Sequence, residues 1–285
     1  MPPTSTELLQ LKKICNAVRR DILDETFYGG ASHLGGSLSV VELLVALYFK
    51  VLNINPQVPQ MADRDRFILS KGHAAPALYA VMAERGYFPK EELKTFCKNG
   101  SRLQKHLDIH KLPGIDSSSG SLGQGLSIAV GMCLADRLDR KDRSVYVILG
   151  DGELQEGQVW EAAMAAGNFK MGHLFAFVDA NQMQVDGFVK KIMDVEPLEE
   201  KWECHHWHVQ RINGNDLAEI LEAIRIAREE ESKPHMIIAD TIKGRGIDFM
   251  EMQVDWHSKS LTAEEYQKAV AQLDAEGKIL KGMEI

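Results

Sequence analysis

The chain has 285 residues, of which 45% are hydrophobic and 26% charged, and its formal net charge is -8. This length allows one large α/β domain or at most two small ones, and the composition is that of an ordinary globular protein. The negative charge argues against a general nucleic-acid-binding role, because phosphate backbones recruit proteins with basic surfaces.

The four cysteines are scattered along the chain and form no CxxC pair. With no signal peptide in front of them, they indicate reduced thiols in the cytosol. No apolar run approaches the roughly 20 residues that span a bilayer. We therefore expect a soluble, cytoplasmic protein with no membrane partner.

The predicted elements begin with a helix. Thr4 and Glu7 have the spacing of a capping box, and apolar residues follow at helical intervals to about Thr26, before the glycines at 29 and 30. A second apolar helix is predicted over residues 40–51. Later apolar runs predict strands at 67–69, 145–149, 174–178, 209–212 and 236–242, and helical patterns predict helices at 75–85, 123–137, 158–169, 217–230 and 263–273.

The runs at 145–149 and 174–178 are continuously apolar, as in parallel strands buried on both faces. Strands that alternate with helices of these lengths predict an α/β fold, a doubly wound and mostly parallel sheet flanked by helices. With no internal repeat and no linker, we expect a single domain over 1–285. The Lys/Glu-rich segment 187–204 is predicted to be a surface excursion.

Polar residues follow two of these strands where each one ends. Asp151 lies between Gly150 and Gly152, and Asn181 follows the next strand along the chain. Ligands of an open parallel sheet bind beyond the carboxyl ends of its strands. The two side chains would offer hard oxygens that suit Mg²⁺ or Ca²⁺ bound to a diphosphate, next to the positive end of the following helix. A tight turn without a ligand is the alternative interpretation.

This pairing resembles the thiamine diphosphate signature, a GDG followed by NN, with Ala180 in place of the first Asn. Further motifs resemble transketolase over nearly the whole chain: SHLGGS at 32–37, DRDRFILSKGH at 63–73, GSLGQG at 120–125, TIKG at 241–244 and WH at 256–257. The resemblance implies the thiamine diphosphate-binding fold. It also implies the N-terminal, diphosphate-binding subunit of a split transketolase, which transfers a two-carbon ketol group from a ketose phosphate to an aldose phosphate.

The resemblance also implies a set of site residues. The metal would be held by Asp151, Asn181 and the backbone carbonyl of Met183. The cofactor would be bound by His73, Gly120, Leu122, Gly152, Glu156, Asn181, Val185, Lys243 and His257. The catalytic residues would be His33, His73, His106 and His257. Of these, His33 and His257 would assist proton transfer at the sugar, His73 would lie near the diphosphate and thiazolium, and His106 would contact the first hydroxyl.

Three of these interpretations have alternatives, and one further motif suggests a different metal. His110 competes with His106, whose neighbours are not the Gly and Pro usual in the family. Val185 would pack beneath the thiazolium ring or be an ordinary core residue. Glu156 would close the site or be a first-turn glutamate stabilised by the helix dipole. The Cys/His run at 204–208 also suggests zinc, although no second ligand cluster has suitable spacing.

Thiamine catalysis in this family also needs a glutamate against the aminopyrimidine ring, and a second α/β domain carries it. The residues after Glu231 are too few for such a domain. We therefore expect a separate C-terminal transketolase subunit with the pyrimidine-binding domain, in an α₂β₂ assembly that acts on sugar phosphates. The alternatives are a subunit like 1-deoxyxylulose-5-phosphate synthase, the alpha chain of a 2-oxo acid dehydrogenase, and a non-catalytic regulatory subunit.

Overall fold

A computed structural model describes residues 3–30 and 33–283, so Ser32 of the first motif lies outside the described residues. Helix α1 spans Ser5–Gly29 and begins at the predicted capping box, in which Thr4 and Glu7 each accept a hydrogen bond from the other's backbone N–H. It ends at Gly30, whose φ of 66° is left-handed and costs glycine little. Both predicted ends of this helix are confirmed.

The second predicted helix is interrupted and begins earlier than expected. Helices α2 (Leu34–Ser39) and α3 (Val41–Ala46) meet at Val40, and a π-helical turn (Leu47–Val51) follows. Two glycines at 35–36 concealed the start of α2, because glycine is a poor helix former. Burial of the apolar side chains of α2 in the core stabilises it instead.

Five parallel strands form the central sheet in the order β1-β2-β3-β7-β6. They are β1 (Arg66–Leu69), β2 (Val145–Gly150), β3 (Leu174–Ala180), β6 (His208–Asn213) and β7 (His235–Asp240); an antiparallel pair, β4 (Met183–Gln184) and β5 (Gly187–Phe188), follows β3. The predicted parallel sheet is confirmed. Strand β7 ends before 242, because the N–H of Ile242 donates to the side chain of Asn215 and not to β3.

Helices cover both faces of the sheet, as a doubly wound fold requires. On one face, α1, α2 and α3 pack with α4 (Ala75–Arg85), α9 (Leu217–Ala227) and α10 (Ala263–Gly282); on the other lie α5 (Gln124–Leu138), α6 (Gly157–Asn168), α7 (Val189–Ile192) and α8 (Leu198–Cys204). Side chains of β2 alternate between the two cores, with Ile148 in the first and Val147 in the second. This explains why the strand is apolar throughout.

Segment 187–204 lies largely at the surface but is anchored in the core by a few buried side chains. Trp202 is fully buried, with its ring centroid 5.1 Å from that of Trp160 and 4.9 Å from that of Trp207. Most of the charged residues of this segment are exposed, as expected, while a few buried apolar side chains, among them Leu198 and Trp202, fix its position. Among the described residues, we find no helix with the length and apolar character needed to cross a bilayer.

Candidate active site

A cavity of about 330 Å³ lies beyond the carboxyl ends of β2 and β3. It is lined by every predicted site residue except Gly120 and His106, namely His33, His73, Leu122, Asp151, Gly152, Glu156, Asn181, Met183, Val185, Lys243 and His257. A larger cavity of about 540 Å³, beside Trp160 and Cys204, contains none of the predicted residues. The predicted site residues therefore converge at the carboxyl end of the sheet and not at the cavity beside Trp160.

Asp151 is buried at the tip of β2, which pairs directly with β3. Its Oδ1 accepts a hydrogen bond from the N–H of Gly152 (2.8 Å), and its Oδ2 accepts one from Gln182 (2.5 Å). Burial and the nearby carboxylate of Asp179 raise the pKa of Asp151 to about 7. A carboxylate in this situation gains much from a divalent cation, whose charge would offset both effects.

Asn181 and Met183 lie next to Asp151 and present oxygen atoms. The Nδ2 of Asn181 donates to Asp179 (3.0 Å), which fixes the amide so that its Oδ1 accepts from the N–H of Met183 (3.2 Å). The carbonyl of Met183 accepts from Nζ of Lys243 (3.2 Å) and has a second lone pair for another partner. The arrangement offers oxygen ligands of the kind that hard cations prefer.

Sequence reasoning did not predict the buried ion pair between Lys71 and Asp179. Nζ of Lys71 also donates to the carbonyl of Gly36 (2.8 Å), while the hydroxyls of Ser39 (2.6 Å) and Thr241 donate to Asp179. Burial disfavours ionisation of Asp179, but the charge and hydrogen bond of Lys71 outweigh it and lower the pKa of Asp179. The sequence signal that could have indicated this ion pair is Asp179 itself, a charged residue in an otherwise apolar strand.

Three imidazoles form one wall of the cavity. The ring of His33 lies 5.0 Å from that of His73 and 5.7 Å from that of His257, measured between centroids. Burial and the charge of Lys243, whose Nζ is 2.9 Å from Nδ1 of His257, lower the pKa of His257 to about 3. Burial is the main cause that lowers the pKa of His73, and the charge of His106 is the second. His73 and His257 are therefore neutral near pH 7.

His106 and Gly120 lie behind this wall. The ring of His106 packs edge-on against His73 at 4.8 Å, and a Cβ added to Gly120 would lie 3.3 Å from the His106 ring. His110 is exposed and does not line the cavity. The structure therefore places His106 next to the cavity, in contact with His73, and His110 away from it.

Glu153 is a second functional candidate that sequence reasoning missed. Its Oε1 accepts from the N–H of Gly123 (2.8 Å) and from the hydroxyl of Ser70, and its Oε2 accepts from the N–H of Gly150 (3.0 Å). The side chain is 2% exposed. It joins the loops after β1 and β2 to the start of α5, and so fixes the shape of the cavity floor.

Glu156 and Val185 lie at the exposed rim. Glu156 precedes α6 and is exposed, unlike the buried Glu153. Val185 is 58% exposed in the turn between β4 and β5, so the alternative that it is a core residue is wrong. Its position in the lining leaves it available to contact a bound ring.

The zinc interpretation of residues 204–208 receives no support. Within ranges 3–30 and 33–283, no group of three or more His, Cys, Asp or Glu side chains is placed to hold a metal ion. Nδ1 of His208 lies instead 3.3 Å from Nδ1 of His235.

Residues 10–278 match the family model described as transketolase, thiamine diphosphate binding domain. The chain belongs to the transketolase family. It is 47% identical over 273 residues to SqwG, a 6-deoxy-6-sulfo-D-fructose transketolase subunit of Clostridium sp. (strain MSTE9), covering 96% of this chain and 99% of that protein. It is 37% identical over 267 residues to one subunit of the apulose-4-phosphate transketolase of Phocaeicola vulgatus, covering 94% of each.

Solved transketolases share the fold. The structure from Campylobacter jejuni has a TM-score of 0.86 and 31% sequence identity, covering 93% of this chain and 42% of that chain. The structure from Leishmania mexicana has a TM-score of 0.83 and 26% identity, covering 95% and 46%. This transketolase chain thus spans less than half the length of these structures and nearly the full length of the two subunits. It corresponds to an N-terminal subunit of a split transketolase.

Proposed function

We propose that this transketolase subunit binds thiamine diphosphate and a divalent cation beyond β2 and β3. With a second subunit, it transfers a two-carbon ketol group from a ketose phosphate to an aldose phosphate. The observation that carries the proposal is the juxtaposition of Asp151 and Asn181 at neighbouring strand ends, in one cavity with three histidines. The family match supports the choice of cofactor.

The cation would be held by the side chains of Asp151 and Asn181 and the carbonyl of Met183, and we propose Mg²⁺, with Ca²⁺ as the alternative. The raised pKa of the buried Asp151 supports this, since a cation would stabilise its charged form. The orientation of Asn181 also supports it, because its nitrogen is occupied by Asp179 and its oxygen faces Met183.

The rest of the cavity would hold the diphosphate and the rings of the cofactor. Burial and the charge of Lys71 lower the pKa of Lys243 to about 8, and a diphosphate beside it would favour the charged ammonium. His73 and the backbone of Gly152 would also face the diphosphate; in this structure the N–H of Gly152 donates to Asp151. Gly120, Leu122 and Val185 would contact the rings, and Glu156 would close the rim.

The bound cofactor would supply the electron sink for the carbon chemistry. His33, His73 and His257 would then move protons at the carbonyl and hydroxyl oxygens of the sugar. The grouping of the three rings on one wall of the cavity supports this role, because imidazoles with centroids 5.0 and 5.7 Å apart can reach neighbouring oxygens of one sugar. His106 would support His73 and contact the first hydroxyl of the sugar.

We also propose that a C-terminal transketolase subunit supplies the pyrimidine-binding domain, in an α₂β₂ assembly. The names of the relatives, which are subunits, support a partner. A partner is also supported by the match to solved transketolases, since this chain covers 42% of the Campylobacter jejuni chain. A single-domain organisation and a cytoplasmic location are part of the proposal, and the four free cysteines agree with a reducing compartment.

The proposed donor sugar belongs to one chemical class. The relatives named above carry a sulfonated ketose or a sugar phosphate in their names. We propose a ketose with an anionic terminal group, with a phosphate first and a sulfonate second. The 47% identity to the sulfofructose transketolase is the reason to include the second.

The test is a ketol-transfer assay of the chain alone and of the chain co-purified with the product of the neighbouring reading frame. Each would be given thiamine diphosphate, Mg²⁺ and either a ketose phosphate or 6-deoxy-6-sulfofructose as donor. Transfer by the complex alone is the expected result. Full transfer by the isolated chain would refute the need for a partner, and carbon dioxide release from pyruvate would favour a 2-oxo acid dehydrogenase or a deoxyxylulose-phosphate synthase.

A further inference from the structure

The loop that carries Lys243 is tied on both sides to polar groups outside the cavity. On one side, the N–H of Ile242 donates to Oδ1 of Asn215 (3.0 Å). On the other side, the carbonyl of Arg245 accepts from Nε of Arg19 in α1 (2.9 Å). Lys243 thus lies between two anchors that are contributed by distant parts of the chain.

The two anchors are themselves connected through Glu42. Nη2 of Arg19 donates to both carboxylate oxygens of Glu42 (2.6 and 2.8 Å), and Nδ2 of Asn215 donates to its Oε2 (3.3 Å). Arg19 is 3% exposed and Glu42 is 7% exposed. The hydrogen bonds form a continuous path from one side of the Lys243 loop to the other.

Close packing holds the loop against this path. Gly246 lies on the side chain of Arg19, so that a Cβ added there would be 2.8 Å from Cδ of Arg19, and its φ of 95° also favours glycine. The N–H of Gly244 donates to the carbonyl of Gly35 (3.0 Å), next to the cavity. The backbone around Lys243 therefore has little room to shift.

We propose that Arg19, Glu42 and Asn215 are positioning residues, which fix the Lys243 loop so that its ammonium meets the diphosphate end of the site. This rests on the proposed function, in which Lys243 faces the diphosphate. Nζ of Lys243 already lies 3.2 Å from the carbonyl of Met183. A four-carbon stem is flexible, so an anchored backbone is what places its end reproducibly.

Stability alone does not account for such a network. Well-packed apolar residues can replace a buried ion pair with no loss of stability, so its presence is weak support for a purely structural role. A link to a functional loop gives these buried charges a reason to be retained.

The chain offers a matched control in Arg64. This arginine also makes a buried two-bond contact with a carboxylate, from Nη1 (2.8 Å) and Nη2 (2.5 Å) to Asp116, and it donates to the carbonyl of Asp65 (2.9 Å). It lies at the amino end of β1, at the edge of the sheet opposite the cavity. Arg19→Met and Arg64→Met should therefore cost similar stability, while only the first should change the site.

The first measurement is the affinity of the assembled enzyme for thiamine diphosphate with Mg²⁺. Arg19→Met should weaken it about tenfold, as is typical when a residue that orients a binding group is removed. At saturating cofactor, kcat should remain close to that of the unaltered enzyme. Arg64→Met should leave the cofactor affinity unchanged, and equal weakening by both variants would overturn the proposal.

The second measurement needs no cofactor. Amide hydrogen exchange of the segment 242–252 in the cofactor-free chain should accelerate in Arg19→Met and in the milder Asn215→Ala, and not in Arg64→Met. Asn215→Ala keeps the test available if Arg19→Met does not fold. Unchanged exchange in a folded Asn215→Ala protein would also refute the role of the network.

A double variant separates this inference from the proposed function. If Arg19 acts through Lys243, the losses of cofactor affinity in Arg19→Met and Lys243→Met should not multiply when the two are combined. Multiplying losses would show an independent effect of Arg19 and reject the inference. An unaltered complex that binds no thiamine diphosphate would instead reject the proposed function.

Discussion

Asp151 and Asp179 are buried carboxylates at the tips of neighbouring strands, but their surroundings are opposite in character. Asp179 meets the ammonium of Lys71 and the hydroxyls of Ser39 and Thr241, and its pKa is lowered. Asp151 meets two backbone amides, and its pKa is raised to about 7. Asp179 is neutralised within the protein by Lys71, whereas none of the described residues supplies an ion pair to Asp151, which we have proposed to bind a cation.

Asp179 is ion-paired within the protein and Asp151 is the proposed ligand of the cation, although both occur in the same kind of sequence. Each follows or ends an apolar strand, and each is next to a small residue. What distinguishes them is a lysine from another part of the fold, which reaches one carboxylate and not the other. Four predictions test this distinction, beginning with the largest expected effect.

Asp179→Asn should be the most destabilising of these changes. It leaves the charge of Lys71 buried without its carboxylate partner, which should cost about 3–5 kcal/mol of unfolding free energy. Urea unfolding of the cofactor-free chain measures this. The control is the pair Lys71→Met with Asp179→Leu, which removes both charges and should recover most of the loss; a pair as unstable as the single variant would contradict the explanation.

Asp151→Asn should change binding and leave folding intact. Removing the charge should weaken metal-dependent binding of thiamine diphosphate to the assembled enzyme by about 100-fold, which titration calorimetry can follow. The unfolding free energy of the cofactor-free chain should change little, because the removal of a buried charge offsets the loss of one backbone hydrogen bond to the side chain. Asp186→Asn, in the exposed hairpin turn, is the matched charge control. Undiminished binding in Asp151→Asn would end the metal assignment.

Glu25 tests whether burial alone, which raises the pKa of both carboxyl groups, would account for the metal binding proposed for Asp151. It is 0% exposed, neither carboxylate oxygen has a hydrogen-bond partner among the described residues, and burial and Asp21 raise its pKa well above the usual range. The carboxyl group of Glu25 therefore binds its proton more tightly in the folded state than in the unfolded state. Its contribution to stability is therefore complete below the unfolded pKa of about 4.3 and is lost as the pH rises through the folded pKa.

Glu25→Gln should flatten the pH dependence of unfolding and leave metal binding unchanged. The slope removed should be up to about 1.4 kcal/mol per pH unit, the value for one proton. Urea unfolding between pH 5 and 9 would be compared with that of the exposed control Glu161→Gln. If Glu25→Gln altered metal binding, the contrast between Asp151 and buried carboxylates outside the site would be contradicted.

Substitutions at the adjacent glycines of α2 should have the smallest effect. They compare the packing around Lys243, which Gly35 contacts, with that around Lys71, which Gly36 contacts. A Cβ at Gly35 would lie 3.0 Å from Cγ of Lys243, whereas a Cβ at Gly36 would lie 3.7 Å from Nζ of Lys71, an ordinary contact. Gly35→Ala should cost about 1 kcal/mol by overpacking and weaken cofactor binding slightly. Thermal unfolding and calorimetry of both variants measure this, and a Gly36→Ala variant as impaired as Gly35→Ala would contradict the packing argument.

The sequence by itself determined the sheet and much of the site. Continuous apolar runs required strands buried on both faces, and their polar ends placed Asp151 and Asn181 at one edge, because parallel strands end on the same side. His33, His73 and His257 were found through their motifs. The structure places all of these around one cavity.

Only the tertiary structure decided which charges meet. Lys71 and Asp179 are far apart in the chain, as are Arg64 and Asp116, and a sequence shows that such residues exist without showing which will be paired. The same is true of Glu153, two of whose partners, Ser70 and Gly123, come from distant parts of the chain. The periodicity of apolar residues is local and fixes strands and helices, whereas ion pairs and pKa shifts depend on distances that exist only after the chain has folded.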